Sequence, residues 1–310
     1  MTPLLIAAWI ASASAWPPQV ERIEYTSQAD GTQQPALFYS PVVDGSKPLL
    51  VALHTWSGDW LQEASIPYAE WCIEKGWIFI HPNFRGPNNK PEAAGSDLVG
   101  EDILSAVEFA RQNAKVDSSR VYLVGASGGG MAALLLAGRA PTAWAGVSAW
   151  VPLVDLKQWY TECRARNLRY AEDISSAVGG NPIEDATAAG ECVRRSPITY
   201  LRHANGVPLD INAGIHDGHT GSISIRHSIN AFNLLAQEGD RISPEDMNFM
   251  ADLERVPPAL GFAGEDPLYG EKRVLLRRQS NKVRLTLFEG GHEILFEAAL
   301  DWLGQQRRVD

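Results

Sequence analysis

Arg120 to Val124 (RVYLV) reads as a buried strand, and it runs straight into Gly125-Ala126-Ser127-Gly128-Gly129. Met131 to Gly138, rich in Ala and Leu, follows at once and reads as a helix. This junction constrains the chain more than any other feature. A serine between small residues, with a strand before it and a helix after it, must sit on a sharp and strained turn. Its Oγ then stands clear of the sheet beside a helix N-terminus. The Gly128 N–H is placed to stabilise a developing oxyanion.

The rest of the pattern supplies the sheet that such a turn needs. Leu49–His54, Trp77–His81, Ala145–Val151, Leu209–Ala213 and Val283–Phe288 are further apolar runs, the mark of strands buried on both faces. Val20–Tyr25 and Pro35–Tyr39 flank an Ala29–Thr32 turn and predict an opening hairpin. Helical periodicity falls between the strands, at Trp60–Lys75, Asp97–Gln112, Ser224–Glu238 and Ile294–Gln305. Strands alternating with helices imply parallel βαβ units. The expectation is an α/β protein of the α/β-hydrolase fold: one mostly parallel, twisted sheet of about eight strands, flanked by helices. Residues 156–206 and 239–281 are too long for simple connections. The first reads as a small lid that shapes the substrate site, the second as a lid element or a surface excursion.

A serine hydroxyl needs a base, and on this fold the order is serine, acid, histidine. His292 lies in Glu289-Gly290-Gly291-His292, after the last strand and before the last helix. Asp217, in Gly214-Ile215-His216-Asp217-Gly218-His219, is the favoured acid because the loop after the seventh strand lies nearest the last strand. Asp155, after the sixth strand, is the rival. The second oxyanion donor is expected in His54-Thr55-Trp56-Ser57, with the Trp56 N–H first and Thr55 second. Thr55 and Trp56 stand where His-Gly-Gly is more usual. The Trp56 indole is also a candidate pocket wall, with Trp159, Tyr160 and Arg166 from the first insertion as further substrate contacts. Arg85, in Asn83-Phe84-Arg85-Gly86, has two readings, pairing with a buried carboxylate to tie loops together or lining the site, and the first is favoured. His216, His219 and His227 match no metal-ligand spacing, so hydrogen bonding around Asp217 is their expected role. No metal and no cofactor is called for.

The segment from Pro82-Asn83-Phe84-Arg85-Gly86 through Gly125-Ala126-Ser127-Gly128-Gly129 resembles the catalytic domain of prolyl-oligopeptidase-like serine hydrolases. So do Ser196-Pro197-Ile198-Thr199-Tyr200-Leu201, the Gly214–Asp217 loop and Gly290-Gly291-His292. The resemblance spans most of the chain from about residue 45, and it extends to the dienelactone-hydrolase and acetylxylan-esterase branches of the same fold. It implies a Ser127, Asp217, His292 triad. Family oligopeptidases carry a β-propeller ahead of the hydrolase. About 40 residues precede the third strand here, short of the roughly 160 a four-bladed propeller needs. No paired-Glu helix for binding a peptide amino terminus is evident. The leading expectation is therefore a serine carboxylic ester hydrolase working through an acyl-enzyme on carbohydrate esters, acetyl or feruloyl. A peptidase with the same triad is the alternative, and a non-catalytic ligand-binding member is the third reading.

Composition narrows the partners. The chain carries a formal charge of −10 with no basic run, which argues against nucleic acid and anionic membrane surfaces. The expected partner is a small-molecule or polysaccharide ester; nothing in the sequence sets an oligomeric state. Leu4–Ile10 is apolar but too short to span a bilayer, and Ala13-Ser14-Ala15 is an A-x-A cleavage pattern. Residues 1–15 therefore read as a signal peptide without Lys or Arg, followed by one domain over 16–310 in a secreted or periplasmic protein. An oxidising compartment permits one disulfide among the three cysteines. A Cys163–Cys192 bridge would close a loop of about 30 residues and contribute roughly 3 kcal/mol; either alternative pairing, or no bridge at all, stays open. Cys72 sits in a helical pattern and reads as a buried free thiol.

Overall fold

The apolar runs become the strands of one sheet. The structure is a computed structural model that describes residues 15–204, 206–261 and 264–308. In chain order the elements begin β1 (Glu21–Thr26), β2 (Gln33–Tyr39), β3 (Lys47–Leu53), α1 (Ile66–Lys75), β4 (Ile78–Pro82), α2 (Asp97–Asn113), β5 (Val116–Ala126) and α3 (Gly128–Arg139). There follow β6 (Gly146–Trp150), α4 (Leu156–Ala165), α5 (Tyr170–Val178), α6 (Ala186–Arg195), α7 (Pro197–Tyr200), β7 (Leu209–Gly214) and α8 (Ile225–Leu235). The chain continues with α9 (Pro244–Leu253), β8 (Val274–Ser280), β9 (Val283–Phe288) and α10 (Phe296–Gly304).

The nine strands lie in the order β1-β2-β4-β3-β5-β6-β7-β9-β8. From β4 to β9 all pairings are parallel, and β1–β2, β2–β4 and β8–β9 are antiparallel. Every residue of β4, β6 and β7 is buried, as expected of strands covered on both faces. Apolar clusters fill both sides of the sheet. One holds α2, α3 and α8, and the other holds α1 and α10. Among the described residues no helix is long and apolar enough to cross a membrane.

Two sequence expectations need correction, and one open question is settled. The sheet has nine strands, not about eight, because the excursion supplies β8. Its sequence, VLLRRQS, alternates weakly, and only its pairing with β9 across a turn at Asn281 (φ 49°) makes it a strand. The helix expected over Trp60–Lys75 begins at Ile66, after a short 3-10 turn over Glu63–Ser65. Cys163 and Cys192 form no disulfide; both thiols are free and buried in the apolar core of the first insertion. They pack as small hydrophobes, and burial pushes their thiols up to about 12 and about 11. Cys72 is a buried free thiol, as its helical setting predicts.

Arg85 ties loops together as expected. Its guanidinium makes a bidentate pair with the buried Asp102, Nε to Oδ2 at 2.6 Å and Nη2 to Oδ1 at 2.9 Å. It also reaches Asp30 in the first hairpin turn at 2.8 Å. This joins the end of β4 to α2 and to the β1–β2 hairpin. The residues expected as a signal peptide, 1–15, lie almost wholly outside the described residues. Trp16, directly after them, is buried against Phe79 and His81, with ring centroids 6.2 and 5.7 Å away.

Candidate active site

Ser127 occupies the turn between β5 and α3 with φ 58° and ψ −120°, a strained conformation for a residue with a side chain. Its N–H donates to the Trp150 carbonyl at 2.9 Å, which ties the turn to the end of β6. The glycines around it permit close approach. A Cβ on Gly129 would lie 2.6 Å from the Leu53 carbonyl oxygen, and one on Gly128 would lie 2.6 Å from both Cα and N of Trp56. The small residues thus bring the start of α3 against the loop after β3.

The two residues expected as donors differ in what their N–H groups meet. The Thr55 N–H and hydroxyl both donate to Gln62 Oε1, at 3.1 and 2.6 Å, so Thr55 is occupied. The Trp56 N–H donates to no group among the described residues, and it faces the N-terminus of α3 beside Gly128. The Trp56 carbonyl is fixed by Asn88, whose backbone N–H and side-chain amide both donate to it. The loop is held further by His54, whose ring nitrogens lie 2.9 and 2.8 Å from the Thr55 and Asn83 carbonyls and whose ring stacks on Phe84.

The structure brings His292 and Asp217 together, Nδ1 to Oδ2 at 2.7 Å. The other carboxylate oxygen of Asp217 accepts the N–H groups of Gly218 and Ile223 at 3.0 and 3.2 Å. Asp217 is 3% exposed. Its loop meets the histidine loop because Gly214 has no side chain; a Cβ there would lie 2.3 Å from the Gly291 carbonyl oxygen. Gly221 covers the pair, since its Cβ would fall 2.1 Å from Asp217 Oδ1 and 2.6 Å from His292 Cβ. Asp155, the rival acid, is elsewhere: its Oδ1 accepts the N–H groups of Lys157 and Gln158 and caps α4.

Ser127 and His292 line one cavity of about 540 Å³. Its walls include Leu53, Trp56, Tyr68, Val151, Tyr170 and Phe296. The cavity is lined by one carboxylate and no Lys or Arg among the described residues; the carboxylate is Glu293, which is paired with Lys272 at 2.8 Å.

The expected substrate contacts divide. Trp56 lines the cavity, but Trp159, Tyr160 and Arg166 do not. Trp159 is buried behind the wall, edge-on to Trp56 at 4.8 Å and stacked on Tyr170 at 5.1 Å. Its indole N–H donates to the Ser222 carbonyl at 3.0 Å, and Arg166 donates to the Gly221 carbonyl at 2.8 Å. Both therefore hold the loop that covers Asp217. Tyr160 is buried in the insertion core. Sequence reasoning missed Asp173, whose carboxylate accepts the Trp56 indole N–H at 3.1 Å, and Arg169, which donates to Ser57. Neither has a motif; only the fold places them over the loop.

The three histidines do not gather around Asp217, which corrects that expectation. His216 lies between Glu254 and Glu289, Nδ1 at 2.6 Å from the first and Nε2 at 2.7 Å from the second. Glu289 and then Glu254 raise its pKa. His219 donates to the Ala251 carbonyl. His227 accepts the Val154 N–H and reaches Glu162. Each imidazole points to a partner that only tertiary structure supplies.

The prolyl oligopeptidase family matches residues 64–242, more than half of the chain. The chain belongs to this family. It is a serine hydrolase with the α/β-hydrolase fold. The matched residues hold Ser127 and Asp217, and His292 lies beyond them. Among relatives of this family member, feruloyl esterase B of Thermothelomyces thermophilus (strain ATCC 42464 / BCRC 31852 / DSM 1799) is 33% identical over 112 residues, 32% of this chain and 37% of that protein. Acylamino-acid-releasing enzyme 1 of Oryza sativa subsp. japonica is 28% identical over 137 residues, 41% of this chain and 18% of that protein. The chain thus matches well under half the length of either relative. Among solved structures, an acylaminoacyl peptidase in complex with Z-Gly-Gly-Phe-chloromethyl ketone superposes with a TM-score of 0.62 at 14% identity, covering 93% of this chain and 41% of that one. Oligopeptidase B from Leishmania major gives 0.56 at 17% identity, covering 92% and 35%.

Proposed function

We propose that this serine hydrolase cleaves carboxylic esters through an acyl-enzyme, on carbohydrate esters carrying acetyl or feruloyl groups. The observation that carries the reading is the His292–Asp217 pair at 2.7 Å beside the strained Ser127, all three at one end of the sheet, with Ser127 and His292 in one apolar cavity. Ser127 Oγ attacks the ester carbonyl while its proton passes to His292 Nε2. Asp217 keeps the Nδ1–H directed and stabilises the imidazolium. The N–H groups of Gly128 and Trp56 hold the oxyanion. The alcohol leaves with the proton from His292, and a water, deprotonated by the same imidazole, releases the acid.

The cavity supports an ester with an apolar acyl group over a peptide read by charge. Among the described residues its one carboxylate, Glu293, is already paired with Lys272, which leaves no free anion there for an ammonium or a basic side chain. The feruloyl esterase relative supports the same reading. The acylamino-acid-releasing relative and the peptidase folds support a second, in which the same triad cleaves short peptides. Action outside the cell rests on the A-x-A pattern before Trp16, and the reading of residues 16–310 as one hydrolase domain with a lid belongs to the same proposal.

The test is a panel of p-nitrophenyl acetate, methyl ferulate, acetylated xylan and a prolyl peptide amide, each with the native protein and Ser127→Ala. Turnover of the esters that Ser127→Ala reduces by roughly 10⁶-fold supports the proposal. Turnover of the peptide alone transfers the protein to the peptidase reading. Ester cleavage that survives in Ser127→Ala removes the serine from the mechanism.

A further inference from the structure

Tyr68 stands in the wall of the cavity that holds Ser127 and His292, and it is 3% exposed. Two other buried tyrosine hydroxyls have partners, whereas those of Tyr25 and Tyr160 meet none among the described residues. Tyr122 donates to the Gln306 carbonyl at 2.7 Å, and Tyr269 donates to Asn212 Oδ1 at 2.6 Å. The Tyr68 hydroxyl meets no partner among the described residues, nor is it sealed from all contact, unlike the Tyr25 hydroxyl. The little of Tyr68 that is accessible opens on the cavity. A buried hydroxyl left unpaired is unfavourable unless something else meets it.

The group cannot turn away to find a protein partner. Tyr68 lies in the first turn of α1, just after Pro67, and its ring packs edge-on against Phe296 of α10 with centroids 4.8 Å apart at 73°. Burial raises the phenol above its ordinary range, so it stays neutral and both donates and accepts. The surfaces nearest to it in chemistry are aromatic: Trp56, Tyr170 and Phe296 share the cavity. An acetyl group alone would fill little of about 540 Å³ and would leave this hydroxyl unmet.

We infer that Tyr68 is a specificity-determining residue of the acyl site, and that the site takes an aromatic acyl group whose ring carries a hydroxyl or methoxy oxygen within reach of the Tyr68 phenol. This rests on the ester-hydrolase reading and narrows it from acetyl or feruloyl to the oxygenated aromatic acids. A site built to hydrogen-bond a ring oxygen disfavours the analogue without one, because the phenol is then left unpaired.

The experiment measures kcat/KM for methyl ferulate, methyl 4-hydroxycinnamate and unsubstituted methyl cinnamate with the native protein and with Tyr68→Phe. The native protein should prefer the oxygenated esters by roughly fivefold to tenfold, the scale of one neutral hydrogen bond. Tyr68→Phe should bring the ratio close to one, with an unfolding midpoint equal to or above native because an unmet hydroxyl has gone. A native protein that cleaves all three esters equally overturns the assignment without using the variant. A preference that survives in a folded Tyr68→Phe overturns it as well. If no ester in the series is cleaved in a Ser127-dependent way, the ester-hydrolase reading itself falls. Ester turnover without ring selectivity removes Tyr68 alone.

Discussion

The two insertions differ in how they join the sheet. The first, residues 156–206, builds its own apolar core from Leu156, Trp159, Tyr160, Cys163, Ile174 and Cys192, and Trp56 of the loop after β3 belongs to that core. It lines the cavity with Tyr170 and reaches the site's loops through four hydrogen bonds: Asp173 on Trp56, Arg169 on Ser57, Trp159 on Ser222 and Arg166 on Gly221. The second, residues 239–281, buries few side chains in α9 and ends by adding β8 to the sheet edge. Its contacts with the acid loop are the half-buried Glu254 carboxylate on His216 and the Ala251 carbonyl, which accepts from His219. An insertion with a core can fix another loop in place. One that relies on partly solvated ion pairs adds little beyond local stability.

Breaking the core of the first insertion should have the largest effect. Trp159→Ala leaves a cavity behind Trp56 and Tyr170 and should cost about 3–5 kcal/mol in denaturant unfolding. An unchanged midpoint would mean that the helical insertion is not integrated with the sheet. Next comes the loop it holds. Gly221→Ala places a methyl against Asp217 and His292 and should lower kcat roughly a hundredfold, the scale of a 1 Å misplacement. Gly190→Ala is the matched control, because nothing lies within 4 Å of a Cβ there. Relief of a mid-helix glycine in α6 should stabilise the protein by about 0.5–1 kcal/mol and leave kcat alone. Asp173→Ala should lower kcat about tenfold with little change in KM, since it frees the Trp56 loop without touching the cavity. A change confined to KM would place Asp173 with substrate rather than with the loop.

The second insertion supplies the smallest effect, and a pH dependence. Glu289 and Glu254 raise the His216 imidazole above its ordinary 6.5. A raised folded pKa gives stability that is fully present below the unfolded value and is lost as pH rises through the folded one. The window therefore runs upward from about 6.5. Glu254→Gln should flatten it by less than about 1 kcal/mol, because the side chains are 34% exposed and screened. A large loss of kcat in that variant would erase the contrast between the two insertions.

Much of this was legible before any fold was known, for reasons of period and position. Strands buried on both faces must be apolar throughout, so β3 to β7 and β9 declared themselves. The G-x-S-x-G junction and the order Ser127, Asp217, His292 located the triad candidates. β8 escaped because an edge strand has one neighbour and tolerates Arg277, Arg278 and Gln279. The cysteines stayed open because spacing along the chain says nothing about side-chain direction, and burial in one apolar core is as compatible with two thiols as with a bridge. Trp159 and Arg166 were placed near the right loop and given the wrong task; their carbonyl partners at Ser222 and Gly221 carry no side-chain signal at all.

Sequence alone determined the class of sheet, the strained serine turn and the three residues that carry the proposed chemistry, because these depend on local periodicity and on the small residues a tight turn demands. Only the tertiary structure decided that Trp56 and not Thr55 offers a free N–H, since that depends on where Gln62 ends up. It also decided that Asp217 and not Asp155 meets His292, and that Tyr68, whose hydroxyl has no partner among the described residues, stands in the cavity wall. Those outcomes rest on hydrogen bonds between residues distant in the chain or on a buried group that has none, and no window of sequence contains them.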